Sequence, residues 1–85
     1  MTIFNSVYSE SYGMGKVDGE IKNNDSVKHS AFLKATFYDA NNKIMGTASG
    51  AVNEVVPGET KTFTLVASGT VTGYSSMKVQ IDTLM

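Results

Sequence analysis

The sequence contains no cysteine, no tryptophan and no arginine, and it has one proline and one histidine. Without cysteine, the chain can form neither a disulfide framework nor a thiolate metal site. A cysteine-free domain can work in an oxidising or a reducing compartment, so this absence indicates neither. All seven basic residues are lysine, although arginine is the usual residue for recognising phosphate or guanine. We therefore expect no nucleic-acid partner.

Long hydrophobic runs are also absent. No segment approaches the roughly 20 apolar residues that span a bilayer, and Met1 leads into no signal-like core, so we expect no membrane insertion and no targeting signal in this chain. With 85 residues, 41% of them hydrophobic, and a net charge of −1, the composition is that of one small domain over residues 1–85. The missing signal also fits a domain excised from a longer protein.

The stretch His29–Val52 predicts a β-hairpin around which the other strands are arranged. Its first arm places apolar side chains at every second position, a period that is incompatible with a helical stripe. These side chains are Ala31, Leu33, Ala35 and Phe37. Residues 39–43 are rich in Asp and Asn and predict the turn, and the second arm begins at Ile44.

Turn signals at fairly regular spacing divide the chain into six or seven short strands. The other predicted strands are Thr2–Glu10, Lys16–Asn23, Thr60–Ala67 and Ser76–Leu84, with a short excursion at Thr70–Thr72 as the candidate seventh. No segment has a convincing helical period. We therefore predict an all-β fold, an antiparallel β-sandwich of six to seven strands.

Alternation within the strands also predicts which side chains form the core. The predicted core residues are Val17, Ile21, Ala31, Leu33, Phe37, Ile44, Val52, Phe63, Leu65, Met77, Val79 and Ile81. Gly19 lies on the apolar face of its strand and predicts the close approach of a bulky side chain. The second hairpin arm has small residues throughout, and we expect Phe37 or Phe63 to fill the space above it.

Three stretches of the sequence share one resemblance. They are Val17–Asn23, Phe37–Asp39 followed by Lys43–Thr47, and Pro57–Thr60 followed by Phe63. Together they resemble the FxLYD domain family, a small immunoglobulin-like β-sandwich found mostly in bacterial surface proteins and lipoproteins. The resemblance implies an immunoglobulin-like sandwich that acts as an extracytoplasmic accessory or interaction module. No catalytic residues are established for the family, so it implies none here.

The candidate interaction patch consists of Phe32, Tyr38 and Met45, which fall on the face opposite Leu33 and Phe37 if alternation holds. If these side chains are exposed, they have the aromatic and methionine character that is typical of interface centres. In the alternative interpretation, a strand end, the N-terminal segment or a bulge covers them.

Three other motifs are better explained by local structure than by chemistry. Asp39-x-Asn41 resembles the start of a calcium loop, but Lys43 and Ile44 occupy positions that need an oxygen ligand and a glycine. His29 is the only histidine, and we interpret it as solvated or bonded to a local carbonyl. Asn24-Asp25-Ser26 matches a glycosylation sequon but is typical of a turn. We predict no catalytic, cofactor or metal site.

The sequence therefore predicts a non-enzymatic protein-interaction or structural module, and the resemblance implies that it belongs to a bacterial cell-envelope or secreted protein. The binding surface is expected to be an exposed strand edge, with Thr2–Glu10 as the candidate, which would take a protein partner or a second copy. The loops around Asn24, Asn41 and Thr72 are the other natural surface. The alternative function is a small apolar-ligand carrier, with a cavity between the two sheets above Gly19, Gly46, Ala48 and Gly50.

Overall fold

The computed structural model describes all 85 residues and contains six β-strands and no helix. The strands are β1 (Thr2–Ser11), β2 (Met14–Lys22), β3 (His29–Tyr38), β4 (Ile44–Val55), β5 (Thr60–Ala67) and β6 (Ser76–Leu84). They form one antiparallel sheet in the order β1-β2-β5-β4-β3-β6. The predicted all-β, antiparallel architecture is confirmed. No strand forms at Thr70–Thr72, so the candidate seventh strand is absent.

The sheet curls so that its two edge strands, β1 and β6, come into contact across the open side. Its middle is narrow, because β4 and β5 pair only through Ala48 with Ala67 and through Ser49 with Val66. The other neighbouring strands pair along most of their length. The core lies inside the curl, and the rings of Tyr8 and Phe37 meet across it with centroids 5.1 Å apart.

Thirteen hydrophobic residues are buried in the core. Eight of them belong to the predicted core: Val17, Ile21, Ala31, Leu33, Phe37, Val52, Phe63 and Leu65. The other five, which the prediction did not include, are Ala35, Ala48, Val55, Ala67 and Val71. Three predicted core residues of β6, Met77, Val79 and Ile81, are only partly buried. Since β6 is an edge strand, no neighbouring strand covers their outer side.

Ile44 was expected in the core, and this prediction is wrong because its side chain is 66% exposed. Phe37 pairs with Gly46, and the next residue, Tyr38, pairs with Ile44, which leaves Met45 as an extra residue in β4. Such a bulge reverses the alternation beyond it. Ile44 therefore lies on the outward face, although it is two residues from the inward-facing Gly46.

A second bulge changes the faces of β1. The sequence predicts Phe4, Ser6 and Tyr8 on one face and Ile3, Asn5 and Val7 on the other, but the pairing with β2 shifts between Phe4 and Val7. Asn5 adopts a positive φ of 55° at this point. As a result Phe4 and Val7 are both exposed, whereas Ile3 and Tyr8 pack against the core. The predicted grouping of β1 side chains is therefore wrong.

A third bulge brings two β4 valines into the core. Val52 and Val55 are three residues apart, so regular alternation would place them on opposite faces. Glu54 has a positive φ of 53°, and its N–H donates to Ser30 Oγ at 2.9 Å. The extra residue turns Val55 inward, where it is fully buried.

Asn23 is the most buried polar residue and holds one end of the curl together. Its Nδ2 donates to the carbonyl oxygens of Val27 at 2.8 Å and Val55 at 2.7 Å. Its Oδ1 accepts the N–H of Asp25 at 2.8 Å. The side chain therefore fixes the loop that follows β2 against the end of β4.

Candidate interaction surface

The two edges of the sheet are β1 and β6, each of which pairs with one neighbour only. The main-chain N–H and C=O groups on the other side of an edge strand have no ladder partner, so they can accept a further strand. The N-terminal strand that the sequence singles out therefore lies at an edge, and β6 forms the other one.

Along the open side of the curl, the core is covered less completely than elsewhere. The partly buried hydrophobic residues that pack against the core are Met1, Ile3, Tyr8, Tyr74, Met77, Val79 and Ile81. All of them belong to an edge strand or to a residue within two positions of one. A strand added at either edge would thus cover apolar side chains as well as satisfy main-chain groups.

The β6 edge is regular over most of its length. Its pairing with β3 is continuous from Ser76 to Ile81, and a register shift occurs only at Asp82. The outward side chains of this edge are polar or charged and exposed: Ser76, Lys78, Gln80 and Asp82. Neither ion pair of the structure involves Lys78 or Asp82.

The β1 edge is tied to the rest of the molecule by its side chains. Thr2 Oγ1 donates to Asn24 Oδ1 at 2.7 Å, and Asn5 Nδ2 donates to Glu20 Oε2 at 3.0 Å. Together with the bulge at Asn5, these bonds hold β1 in an irregular course. Bulges of this kind make an edge a poor template for another strand.

Tyr8 fastens β1 to the segment between β5 and β6. Its hydroxyl donates to Glu10 Oε1 at 3.0 Å and accepts the N–H of Val71 at 2.9 Å. Its ring packs edge to face against Phe37 and Tyr74, with centroids 5.1 Å and 5.3 Å away. Burial raises the pKa of the Tyr8 hydroxyl; the N–H of Val71 acts in the opposite direction, and Glu10 adds to the increase.

The structure divides the predicted patch between two ends of β3. Phe32 is 50% exposed and lies between Ala51 and Thr83, whereas Tyr38 is half-buried and lies between Ile44 and Ser76. Six residues along a strand span roughly 20 Å. Met45 is 40% exposed at the bulge beside Tyr38. Tyr38 and Met45 are therefore neighbours, and Phe32 is a separate exposed residue.

The space above the small residues of the sheet is filled. A Cβ built on Gly19 would lie 2.6 Å from Cζ of Phe63, which confirms the predicted close approach. At Gly46 the nearest atom is Cγ1 of Val71, and at Gly50 it is the carbonyl oxygen of Thr64. The prediction that a phenylalanine covers these two glycines is therefore wrong.

A shallow pocket of about 140 Å³ lies where β4 and β5 diverge. Its lining is formed by Met45–Thr47 and by Ala67–Val71. Its lining contains no ionisable side chain, and its polar side chains are the hydroxyls of Thr47, Ser68 and Thr70.

His29 uses both ring nitrogens in contacts with acceptors. Nε2 lies 2.8 Å from Asp25 Oδ2, and Nδ1 lies 3.2 Å from the main-chain oxygen of Met85. Only the imidazolium can donate to both partners, since a neutral ring carries one N–H. The hydrogen bond to Asp25, and then that to Met85, therefore raise the pKa of His29, and the same ring lowers the pKa of Asp25. The ring has no free nitrogen to act as a base.

Asp39 acts as a turn residue. Its Oδ1 accepts the N–H groups of Asn41 at 2.8 Å and Lys43 at 3.0 Å, and Asn42 adopts a positive φ of 62°. One carboxylate oxygen of Asp39 is thus bonded to the main chain of the hairpin, as the turn interpretation predicts. No group of three or more acidic or histidine side chains is arranged to hold a metal ion.

The polar loops do not gather at one end of the domain. Asn41 and Thr72 lie near the Tyr8 and Phe37 end, where Thr72 Oγ1 donates to Glu10 Oε1 at 2.6 Å. Asn24 lies at the opposite end, beside the start of β1. A single ligand gripped by all three loops is therefore not favoured by this arrangement.

Two features of this surface have no clear signal in the sequence. One is the β6 edge, whose position depends on a strand order that alternation does not encode. The other is Tyr12, fully exposed at the tip of the β1–β2 turn with a positive φ of 51°, next to Gly13 at 75°. Two successive positive φ values are typical of a tight type I′ hairpin turn, in which Asn or Gly would be the usual first residue.

Comparisons with known proteins add no relative. A scan against protein-family models, a search of curated proteins and a search of solved structures each found no match. The structure also contains no helix suited to crossing a membrane.

Proposed function

We propose that this domain is a non-enzymatic protein-interaction module that binds a partner by adding a strand to the β6 edge. The observation that carries the proposal is the combination found there: a regular edge with free main-chain groups above a row of half-buried apolar side chains. Main-chain hydrogen bonds would supply affinity, and the alternating side chains of the added strand would supply specificity.

We propose β6 as the binding edge, in preference to β1, because its strand pairing is more regular. A strand can pair continuously only where the edge is free of bulges, and β1 has a bulge at Asn5 in its middle. The β6 edge offers residues 76–81 before its own register shift. Met77, Val79 and Ile81 point toward the core, so an added strand would bury more of their surface.

We further propose that the domain is a small immunoglobulin-like sandwich of the FxLYD type, working in the cell envelope or outside the cell. Support comes from the curl, which brings β1 to β6, and from the short β4–β5 junction. Fractionation of the native organism, followed by immunoblotting with an antibody against this domain, tests the location. We expect the protein in the membrane or secreted fraction; a signal confined to the cytosol would contradict the proposal.

Site-directed photo-crosslinking in native cells tests the β6 edge. A photoreactive amino acid at Gln80 lies on the proposed surface, and one at Thr62 is the matched control, because Thr62 is exposed on an interior strand. We expect a discrete protein adduct from position 80 and none from position 62. Equal adducts at both positions, or none at position 80, would overturn the assignment of β6.

A further inference from the structure

The charged side chains of β6 are arranged symmetrically about Gln80. Lys78 precedes Gln80 by two residues and Asp82 follows it by two, and both side chains are exposed. Neither makes an ion pair within the chain. Two opposite charges equidistant from a strand centre are complementary to the same strand running in the opposite direction.

We infer that the partner of the β6 edge is a second copy of this chain, joined by antiparallel β6–β6 pairing centred on Gln80. This inference rests on the proposed function, which supplies the edge. A twofold axis at Gln80 places Lys78 of each copy opposite Asp82 of the other, so that the same ion pair forms twice. On the inner face, Val79 of each copy lies opposite Ile81 of the other and covers part of its exposed surface.

The bulge at Asp82 limits the length of this pairing. Beyond it the β6 side chains change faces, because Ile81 pairs with Leu33 and Thr83 pairs with Phe32. The regular main-chain ladder therefore covers residues 79–81 of each copy, and Lys78 faces Asp82 of the other copy at each end of it. Interfaces of standard size bury about 1,200 to 2,000 Å², and so short a ladder buries less than that, so we expect association at about 0.1 to 1 mM protein.

The β1 edge lacks this complementarity. Its only charged side chain is Glu10, which already accepts hydrogen bonds from Tyr8 and Thr72. Antiparallel self-pairing of β1 would bring no opposite charges together and would meet the bulge at Asn5 near the strand centre. Charge therefore favours a homodimer through β6 alone.

Sedimentation equilibrium of the purified chain with charge-reversal variants tests the register. Lys78→Asp places two carboxylates opposite each other twice, and Asp82→Lys does the same with two amines, so each variant should dimerise about tenfold more weakly than the wild type. An equimolar mixture of the two variants should recover wild-type association, because every cross-strand pair then has opposite charges. Lys43→Asp, at the β3–β4 turn, changes net charge equally and should leave association unchanged.

Each outcome of this test is decisive. Recovery in the mixture supports the Gln80-centred register. A wild-type chain that stays monomeric at 1 mM overturns self-pairing, and so does wild-type-like association of both single variants. These results are separable from the proposed function, since a Gln80 adduct with a different protein would keep the β6 edge as a binding site while the second copy is excluded. Thermal melts of each variant check that the fold is retained.

Discussion

The two edge strands, β1 and β6, differ in how readily another chain can pair with them. Both expose main-chain groups, but β1 is bulged at Asn5 and bound through side chains to Asn24, Glu20 and Val71. The β6 strand has no such bonds over residues 76–81 and relies on its pairing with β3 and on half-buried apolar side chains. Irregular edges resist pairing with other chains. The comparison indicates that β1 is the protected edge and β6 the available one.

We expect the largest loss of stability from removal of the Phe37 ring, which supports both edges. Phe37 is fully buried, its ring meets Tyr8 of β1, and its main chain pairs with Met77 of β6. Phe37→Ala should lower the free energy of unfolding by about 3 to 5 kcal/mol, measured by urea denaturation. Phe32→Ala, on the same strand but half-exposed, is the control and should lower it by less. Equal losses would show that Phe37 does not support the core in this way.

We expect the next largest loss of stability from removal of the Asn23 side chain, which fixes the loop between β2 and β3 that contacts both edges. Asn23 fixes this loop, in which Asn24 accepts a bond from Thr2 of β1 and Asp25 contacts His29 at the β6 end. Asn23→Ala leaves the buried carbonyl of Val55 without its donor and should lower the free energy of unfolding by about 2 to 3 kcal/mol.

Hydrogen exchange shows which parts of the structure are loosened when the Asn23 side chain is removed. Amides at the start of β1 and at the end of β6 should both lose protection in the Asn23→Ala variant. Asn24→Ala removes only an exposed bond, and we expect it to affect β1 alone. Normal protection at both edges after loss of the Asn23 side chain would contradict its role as the common anchor.

Alternation predicted the faces of β2, the middle of β3 and β5, because these strands run without bulges over those residues. It failed at Ile44 and in β1, where one extra residue reverses the faces. The bulge at Asn5 has a weak signal, since Asn tolerates positive φ. The bulge at Glu54 has no signal in the sequence, because the conformation of Glu54 depends on Ser30, which is far away in sequence.

The surface was less predictable than the core. Alternation placed Phe32 and Met45 on the face opposite the core but left their exposure open, and exposure alone does not identify a docking site. The edge position of β6 depends on how six strands are ordered, and that order results from packing between residues distant in sequence. The anchoring role of Asn23, the last residue of the predicted strand Lys16–Asn23, has no signal in the sequence, because its acceptors, Val27 and Val55, lie in two different segments.

A smaller effect should appear at β1 alone. Tyr8→Phe keeps the ring contacts but removes the acceptor for the N–H of Val71, and it should lower the free energy of unfolding by about 1 kcal/mol. Exchange should become faster in β1 and in residues 68–75 and stay unchanged in β6. Tyr12→Phe, at the exposed turn, is the matched control. Equal loss of protection in β6 would mean that the two edges are not held independently.

The smallest effect should depend on pH and be confined to the β6 end, where Met85 exchanges main-chain hydrogen bonds with Ser30. The pKa of His29 is raised above 6.5, so its contribution to stability is complete below pH 6.5 and is lost as the pH rises through the raised value. The pKa of Asp25 is lowered below 3.8, so its contribution is present above pH 3.8 and is lost on further acidification through the lowered value. The pair therefore stabilises the fold most between pH 3.8 and pH 6.5.

Thermal melts between pH 5 and pH 8.5, combined with an NMR titration of the His29 ring, measure this contribution. The melting temperature of the wild type should fall as His29 loses its proton, whereas Asp25→Asn should flatten that slope and return the ring pKa toward 6.5. At a protein concentration well below that expected for self-association, Asp82→Asn removes an equal charge from a carboxylate outside both ion pairs of the chain and should leave slope and titration unchanged. Because the contact joins the segment before β3 to the residue after β6, β1 should keep its exchange protection throughout this pH range. If β1 loosened together with β6, the two edges would form one cooperative unit, and the contrast between a protected and an available edge would have to be abandoned.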